Sequence, residues 1–159
     1  MHNHVLHRGF LALGRLAAAL LVAGCILTLA ACGQPSGQIN VVQSTDLAQT
    51  TQIEIAEMVT EPQTDYKHRL TITDTSSIHE VVMALDRDLP LGPRARCQGQ
   101  FRLRFHLATN QVQEFEYYCE GGVSFLRGGQ AFWQGQQVEP PAEFDQLIQR
   151  LLAAQPGGG

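Results

Sequence analysis

The sequence has no long run of charges of one sign, and this limits the partners that it predicts. The chain has 159 residues, of which 11 are basic and 15 acidic, with a formal net charge of −4. All fifteen acidic residues and nine of the basic ones follow Cys32, and there the two signs are interleaved. Nucleic-acid-binding domains usually carry a basic stripe, and anionic lipid recruits polybasic segments. We therefore predict no nucleic-acid partner and no polybasic membrane site.

The sequence also lacks the short motifs of common catalytic and metal sites. It has no Gly-x-Ser-x-Gly elbow, no His-Glu-x-x-His pair and no EF-hand loop. Ser77 and His79 are close in sequence, but Asp74–Ser77 supply several helix-cap candidates, and Ser77 has Glu80 at capping-box spacing. His68 and His106 are single histidines far from one another in the chain. We therefore predict no catalytic residue, no metal ligand and no cofactor.

The first 31 residues have the order of an export signal. Arg8 and Arg15 are their only charged residues, and no charge follows from Leu16 to Ala31. A charged start, an apolar core and a border of small residues are typical of such signals. The uncharged run has 16 residues, fewer than the roughly 20 that a membrane-spanning helix needs.

The border residues Leu29-Ala30-Ala31-Cys32 resemble the lipobox of bacterial lipoprotein precursors. In that family the cysteine thiol receives a diacylglyceryl group, and a signal peptidase cuts just before the cysteine. The resemblance implies that residues 1–31 are a signal peptide, that Cys32 is the lipidation site and that the membrane is a partner through this covalent lipid. It also implies a place in the cell envelope. Gly33, in the position where aspartate favours the inner membrane, allows an outer-membrane destination.

A second cysteine, Cys25, follows Val22-Ala23-Gly24 and also fits the motif. Cleavage before Cys25 would leave Ile26–Ala31 as exposed apolar sequence and would shorten the apolar core to seven residues. Cys32 is instead followed by the polar residues GQPSGQ. We therefore assign the lipid to Cys32.

The rest of the chain divides by composition. Residues 33–52 contain one charge and no aromatic residue, so residues 32–52 are predicted to be the lipidated cysteine and a flexible tether. Ile39–Val42 could add a strand, so the boundary between the tether and the domain is not sharply defined. Residues 53–155 are predicted to form a single α+β domain, and residues 156–159 a disordered tail.

Periodicity predicts the elements of this domain. Apolar and polar residues alternate in four segments, and two shorter segments are further strand candidates: 52–57, 67–73, 101–107, 114–119, 123–126 and 131–133. Helical spacing of apolar residues follows Ser77 and recurs after Pro141. The segment LPLGPRARCQG, residues 89–99, is predicted to be a loop. The predicted fold is a small antiparallel sheet with two helices packed on one face, in the order β-β-α-β-β-β-β-α.

The segments around residues 101–119 predict a hairpin with a defined register. A three-residue loop at Thr109–Gln111 places Phe105 opposite Phe115 and Arg104 opposite Glu116, with His106 opposite Glu114. Either Asn110 or Gln111 must then take the left-handed conformation. The charged side of this hairpin is expected to face solvent.

The same hairpin brings Cys97 and Cys119 near each other, which predicts a disulfide between them. An exported chain meets an oxidising compartment, where such bonds persist. Two cysteines 22 residues apart without a Cys-x-x-Cys pair lack the usual spacing of a zinc site.

The function that these features favour is a lipid-anchored accessory or binding domain without catalytic activity. Two alternatives stay open: a small extracytoplasmic enzyme whose residues meet only in the fold, and a protein-interaction module that uses the polar sheet face. A pocket with converging polar groups would favour the enzyme, and a flat face of paired charges would favour the accessory role.

Overall fold

Within the described residues, eight strands form one antiparallel sheet. The computed structural model describes residues 37–60, 65–94, 96–119, 122–128 and 135–154. The strands are β1 (Gln38–Asn40), β2 (Thr50–Val59), β3 (Asp65–Ile72), β4 (Asp88–Pro93), β5 (Gly99–Leu107), β6 (Val112–Cys119), β7 (Val123–Gly128) and β8 (Gln136–Val138). The helices are α1 (Val41–Ser44), α2 (Thr75–Leu85) and α3 (Ala142–Ala153), with a 3-10 turn at Leu47–Gln49. Across the sheet the order is β1-β4-β8-β7-β6-β5-β2-β3, with every neighbouring pair antiparallel.

The α+β class is confirmed, but the sheet is larger than predicted and its element order differs. The predicted order omitted β1, α1, β4 and β8. The segment of β4 was expected to be a loop because it holds two prolines and a glycine. It is instead an inner strand, with Leu91 opposite Val138 of β8 on one side and Leu89 opposite Ile39 of β1 on the other. The strand predicted at 131–133 lies outside the described residues.

The predicted flexible tether is wrong from Gly37 onward. Val41, Val42 and Leu47 are buried in the common core, so this short stretch contributes enough apolar surface to be ordered. The carbonyl of Gly37 already accepts a hydrogen bond from the Leu91 amide at 2.9 Å. The folded domain therefore already includes residue 37, well before the predicted start at residue 53. The predicted signal peptide, Cys25, Cys32 and the predicted tail lie outside the described residues.

Helices α2 and α3 pack on the same face of the sheet. Ile55, Leu103 and Tyr117 stand on this face of β2, β5 and β6, and they form one buried cluster with residues of both helices. The Phe144 ring of α3 meets the Tyr117 ring edge to face, with centroids 5.6 Å apart. Apolar burial on this face is the main stabilising term of the fold.

Helix α2 begins at one of its predicted cap candidates, Asp74, but without the predicted capping box. Asp74 is the N-cap residue, and its Oδ2 accepts the Ser77 amide at 2.8 Å and the Ser77 hydroxyl at 2.9 Å. These hydrogen bonds, the amide first, lower the pKa of Asp74. The predicted capping box of Ser77 with Glu80 is therefore wrong. Glu80 lies 3.4 Å from Arg150 of α3 instead.

The β5–β6 hairpin has the predicted faces but a register shifted by two residues. Leu103 is opposite Phe115 and Arg104 is opposite Glu114. The loop is Ala108–Asn110, one residue earlier than predicted, and it is closed by hydrogen bonds between Leu107 and Gln111 and between Asn110 and Leu107. Asn110 takes the left-handed conformation with φ of 62°, which asparagine tolerates well.

Candidate functional site

The sheet face opposite the helices carries charged side chains that pair with one another. We call it the charged face; its residues are Glu54, Tyr66, Arg102, Arg104, His106, Glu114, Glu116 and Arg127. Arg104 Nε donates to Glu114 Oε2 at 2.7 Å, and this bond raises the pKa of Arg104. Arg102 Nε lies 3.2 Å from Glu114 Oε1, without hydrogen-bond geometry. The three arginines and three glutamates cancel in formal charge.

His106 is paired across β2 rather than β6. Its Nε2 lies 3.3 Å from Glu54 Oε1, which also accepts a hydrogen bond from Gln52 at 3.0 Å. The predicted position opposite Glu114 is wrong because of the two-residue register shift. About a third of each side chain of this pair is exposed, so solvent weakens the interaction.

Arg127 is the one charged residue that the described part of the domain buries, with 6% exposure. Its guanidinium pairs with Glu116, donates to the Cys97 carbonyl at 3.1 Å and lies 4.9 Å from the centre of the Phe125 ring. Phe125 is fully buried although it points away from the helices. The burial of Arg127 and the burial of Phe125 therefore both require a segment that covers the charged face.

The covering element is the segment between β4 and β5. In the sheet β4 and β5 are separated by β8, β7 and β6, so the chain crosses over these three strands between Pro93 and Gly99. Arg94 and residues 96–98 are the described part of this crossing segment. The bond from Arg127 to the Cys97 carbonyl puts the crossing on the charged face. The predicted disulfide is confirmed as a Cys97–Cys119 pair with Cα atoms 5.9 Å apart, and it ties the end of this crossing segment to β6.

Tyr66 of β3 also lies on the charged face, where it contacts β5. Its hydroxyl donates to the Gly99 carbonyl at 2.9 Å, and the Arg102 guanidinium stacks 3.9 Å from its ring centre. Burial, and then the negative charge of Glu116, raise the pKa of Tyr66. The charged face is thus a fixed network whose groups mainly satisfy one another.

A cleft opens on the molecule where β7 and β8 separate. These strands share one pair, Leu126 with Val138, whereas β7 pairs with β6 over most of its length. The cleft has a volume of about 580 Å³. Its lining includes Leu91, Pro93, Val123, Ser124, Glu139 and Asp145. None of the described residues that line it is basic. We call it the Ser124 cleft.

The polar groups of the Ser124 cleft are anchored to the core. Asp145 Oδ1 accepts a hydrogen bond from the Ser124 hydroxyl at 2.5 Å and one from the Tyr117 hydroxyl at 2.8 Å. Asp145 stands in the first turn of α3, where the helix dipole favours a carboxylate. Tyr117 is fully buried, and burial followed by the hydrogen bond to Asp145 raises its pKa. These contacts hold the Asp145 carboxylate in one orientation at the cleft.

The structure does not bring the weak catalytic and metal candidates of the sequence together. Ser77 is occupied by the cap of α2, and His79 is exposed on that helix. His68 meets Thr71 at 3.4 Å, and His106 meets Glu54. Among the described residues, no group of three or more His, Cys, Asp or Glu residues has an arrangement that could hold a metal ion.

Sequence reasoning missed both the burial of Arg127 and the Ser124 cleft. A crossing of three strands is a property of strand order, which local periodicity does not contain. The cleft depends on the early separation of β7 from β8. One signal was present: an aspartate in the first turn of α3, after Pro140-Pro141, suits a carboxylate held at a helix start.

The chain matches no protein-family model, and no curated protein or solved structure is significantly similar to it. In the described ranges, no helix has the length and hydrophobicity to cross a membrane.

Proposed function

We propose that the chain is an exported lipoprotein of the cell envelope, anchored through a lipid on Cys32, whose folded domain binds a ligand without catalysing a reaction. The leader and its lipobox-like border support the anchor. The Cys97–Cys119 disulfide supports export, because such bonds persist in oxidising compartments.

The Ser124 cleft is the proposed binding site, and it is the observation that carries the binding role. Its volume falls within the range of small-ligand sites, and it combines apolar walls at Leu91 and Val123 with a few polar groups. The orientation of Asp145 is fixed before any ligand arrives, which reduces the entropy lost on binding. Since Glu139 and Asp145 line the cleft without a basic neighbour in its lining, the proposed ligand carries a positive charge.

The two alternative functions have less support. A protein-interaction role for the charged face would need net charge or exposed apolar area, but its arginines and glutamates are paired with each other. An enzyme with Ser124 as nucleophile would need a base beside it. Asp145 Oδ1 already accepts two hydrogen bonds, and this fits a structural carboxylate better than a proton acceptor.

The anchor is tested by the Cys32→Ser variant with Cys25→Ser as its matched control. The parent and Cys25→Ser proteins are expected in the membrane fraction, with the mass of a chain that begins at Cys32 and carries fatty acyl groups. Cys32→Ser is expected to lose these acyl groups. If Cys25→Ser loses them and Cys32→Ser keeps them, the assignment to Cys32 is wrong.

The cleft is tested by saturation-transfer NMR on the solubilised lipoprotein, with cyclohexylamine and cyclohexanecarboxylate as probes. We expect transfer to the amine and little to the carboxylate. Asp145→Asn should weaken the amine signal, whereas Glu143→Gln, an equal charge change in the same helix turn, should not. Equal signals from both probes would reject the cleft as a site for cations.

A further inference from the structure

We infer that the ligand of the Ser124 cleft is an extended peptide, which binds as a short strand between β4 and β7 and places an ammonium group on Asp145. The inference rests on the proposed binding role of the cleft. It adds the chemical class of the ligand and the way in which the ligand is held, and it does not depend on the lipid at Cys32.

The cleft lies where the sheet has a gap between two strands. Leu91 of β4 and Leu126 of β7 both lie opposite Val138, the last residue of β8. Since neighbouring strands are about 4.8 Å apart, β4 and β7 are roughly 9.6 Å apart at Val138. Beyond Val138, none of the described strands lies between them. This separation is the width that one extended chain needs to pair with both strands.

Residues of both strands line the cleft. β4 contributes Pro90–Pro93, and β7 contributes Val123 and Ser124, with Gly122 beside them. At about 3.4 Å per residue, the four residues of β4 span roughly 10 Å. The cleft is therefore long enough for about four residues of an extended peptide.

The chain that forms β8 does not continue into the gap as a strand. Pro140 and Pro141 follow β8 after one residue, and proline has no amide to donate to a strand partner. The chain then begins α3 at Ala142, and α3 packs on the helix face of the sheet. The place of a strand beyond Val138 is therefore left to a second chain.

The backbone on both sides of the gap is suited to pair with a peptide. β7 pairs with β6 from Val123 onward, but its described pairing with β8 is limited to Leu126. On β4 the Leu91 amide donates to Gly37, away from the gap, so the backbone groups of Pro90 point toward the gap. Pro90 presents a carbonyl there and no amide. An extended peptide donates an amide to such a carbonyl and pairs with an open strand edge.

The side chains of the cleft favour a peptide with a positive charge. Glu139 and Asp145 line the cleft, and none of its described lining residues is basic. Asp145 Oδ1 accepts hydrogen bonds from Ser124 and Tyr117, which use two of the roughly four acceptor positions of a carboxylate. An ammonium group supplies donors for the others. Either the amino terminus of the peptide or a lysine side chain provides this group.

The test measures how well peptides displace cyclohexylamine from the solubilised protein in saturation-transfer NMR. Three tetrapeptide amides are compared: Val-Thr-Val-Thr with a free amino terminus, acetyl-Lys-Thr-Val-Thr and acetyl-Val-Thr-Val-Thr. We expect at least one of the two peptides with an ammonium group to displace the amine, and this result identifies the source of the charge. The uncharged peptide should bind about ten-fold more weakly, the loss typical of one charge-assisted hydrogen bond.

A second comparison tests the strand pairing. In the tighter-binding peptide, the amides of the second and third residues are N-methylated, which removes one donor toward each flanking strand but keeps the charge. Affinity should fall by about ten-fold. Nuclear Overhauser contacts are expected from the bound, unmethylated peptide to both Pro90 and Val123, because these residues lie on opposite sides of the gap.

Asp145→Asn should lower the affinity of the ammonium peptides to that of the uncharged peptide, whereas Glu143→Gln should leave it unchanged. Cyclohexylamine that binds but is displaced by none of the peptides would leave the binding role intact and overturn the peptide ligand. Equal affinities of the methylated and unmethylated peptides would overturn the strand pairing. An amine that does not bind at all would reject the proposed function, and the inference with it.

Discussion

Arg104 and Arg127 both pair with a glutamate on the charged face, but their surroundings differ. The side chain of Arg104 is 43% exposed, whereas that of Arg127 is 7% exposed. Arg104 pairs with Glu114, and both side chains are in contact with water. Arg127 lies under the crossing segment, where it is held by Glu116, the Cys97 carbonyl and the Phe125 ring. The two pairs have the same residue types. Burial under the crossing segment therefore decides how much each pair contributes to the free energy of unfolding.

The largest expected effect is that of Arg127→Ala. Removing one partner of a buried ion pair destabilises by about 3–5 kcal/mol, and the lower end applies here because Glu116 is about one-third exposed. Arg104→Ala, the matched control, should cost about 1 kcal/mol or less. Urea unfolding of the two variants measures both values. Equal losses in the two variants would show that burial does not distinguish the pairs.

The disulfide is expected to come next. Replacing Cys97 and Cys119 by serine frees the covering segment and should cost about 3 kcal/mol for a loop of 22 residues. Without the disulfide, the crossing segment is held less firmly over Arg127. Arg127→Ala should therefore lower the free energy of unfolding by less in the serine variant than in the parent. A double-mutant cycle by urea unfolding measures this coupling. Strict additivity would mean that the disulfide does not hold the cover over Arg127.

On the opposite face, Tyr117→Phe tests a buried polar group without formal charge. The ring stays in the core but the hydrogen bond to Asp145 is lost, which should cost about 1–2 kcal/mol. The pKa of Tyr117 is raised above its ordinary value of 10.0, so its contribution is present below pH 10 and is lost as the pH rises further.

The parent should therefore lose stability more steeply than Tyr117→Phe above pH 10. Thermal unfolding between pH 8 and 11 would check this. Parallel curves for the two proteins would mean that Tyr117 ionises equally in the folded and unfolded states.

The smallest effect is expected at a fully exposed charge. Asp74→Ala removes the cap of α2 and should lower Tm slightly at neutral pH. The pKa of Asp74 is lowered from 3.8, so its contribution is present above that pH and is lost as the pH falls through the lowered value. The difference in Tm between parent and variant should therefore shrink in acid. A difference that grows in acid would contradict this account.

Local patterns predicted the elements that depend on neighbouring residues. The faces of the β5–β6 hairpin, the left-handed Asn110 and the Cys97–Cys119 pair all follow from alternation and spacing within about 20 residues. The register was wrong by two residues because alternation fixes which face a side chain takes but not its partner. Glu114 can serve either neighbouring arginine of β5, so charge pairing did not exclude the other register.

Features that depend on distant pairing were not predictable in this way. β4 looked like a loop because Pro90 and Pro93 cannot donate to a strand partner, yet β1 and β8 both pair with it. The start of the domain was placed too late because the burial of Val41 and Leu47 requires the complete core. The Ser124 cleft likewise exists only once β7, β8 and α3 have been assembled.

The anchor at Cys32 is the central claim, because the proposed function in the cell envelope depends on it. The most direct measurement is the intact mass and N-terminal peptide of the protein extracted from membranes of cells that export it. The account predicts a chain starting at Cys32 with fatty acyl groups on that residue. A mature chain that keeps Met1, or one that starts elsewhere without acyl groups, would contradict it.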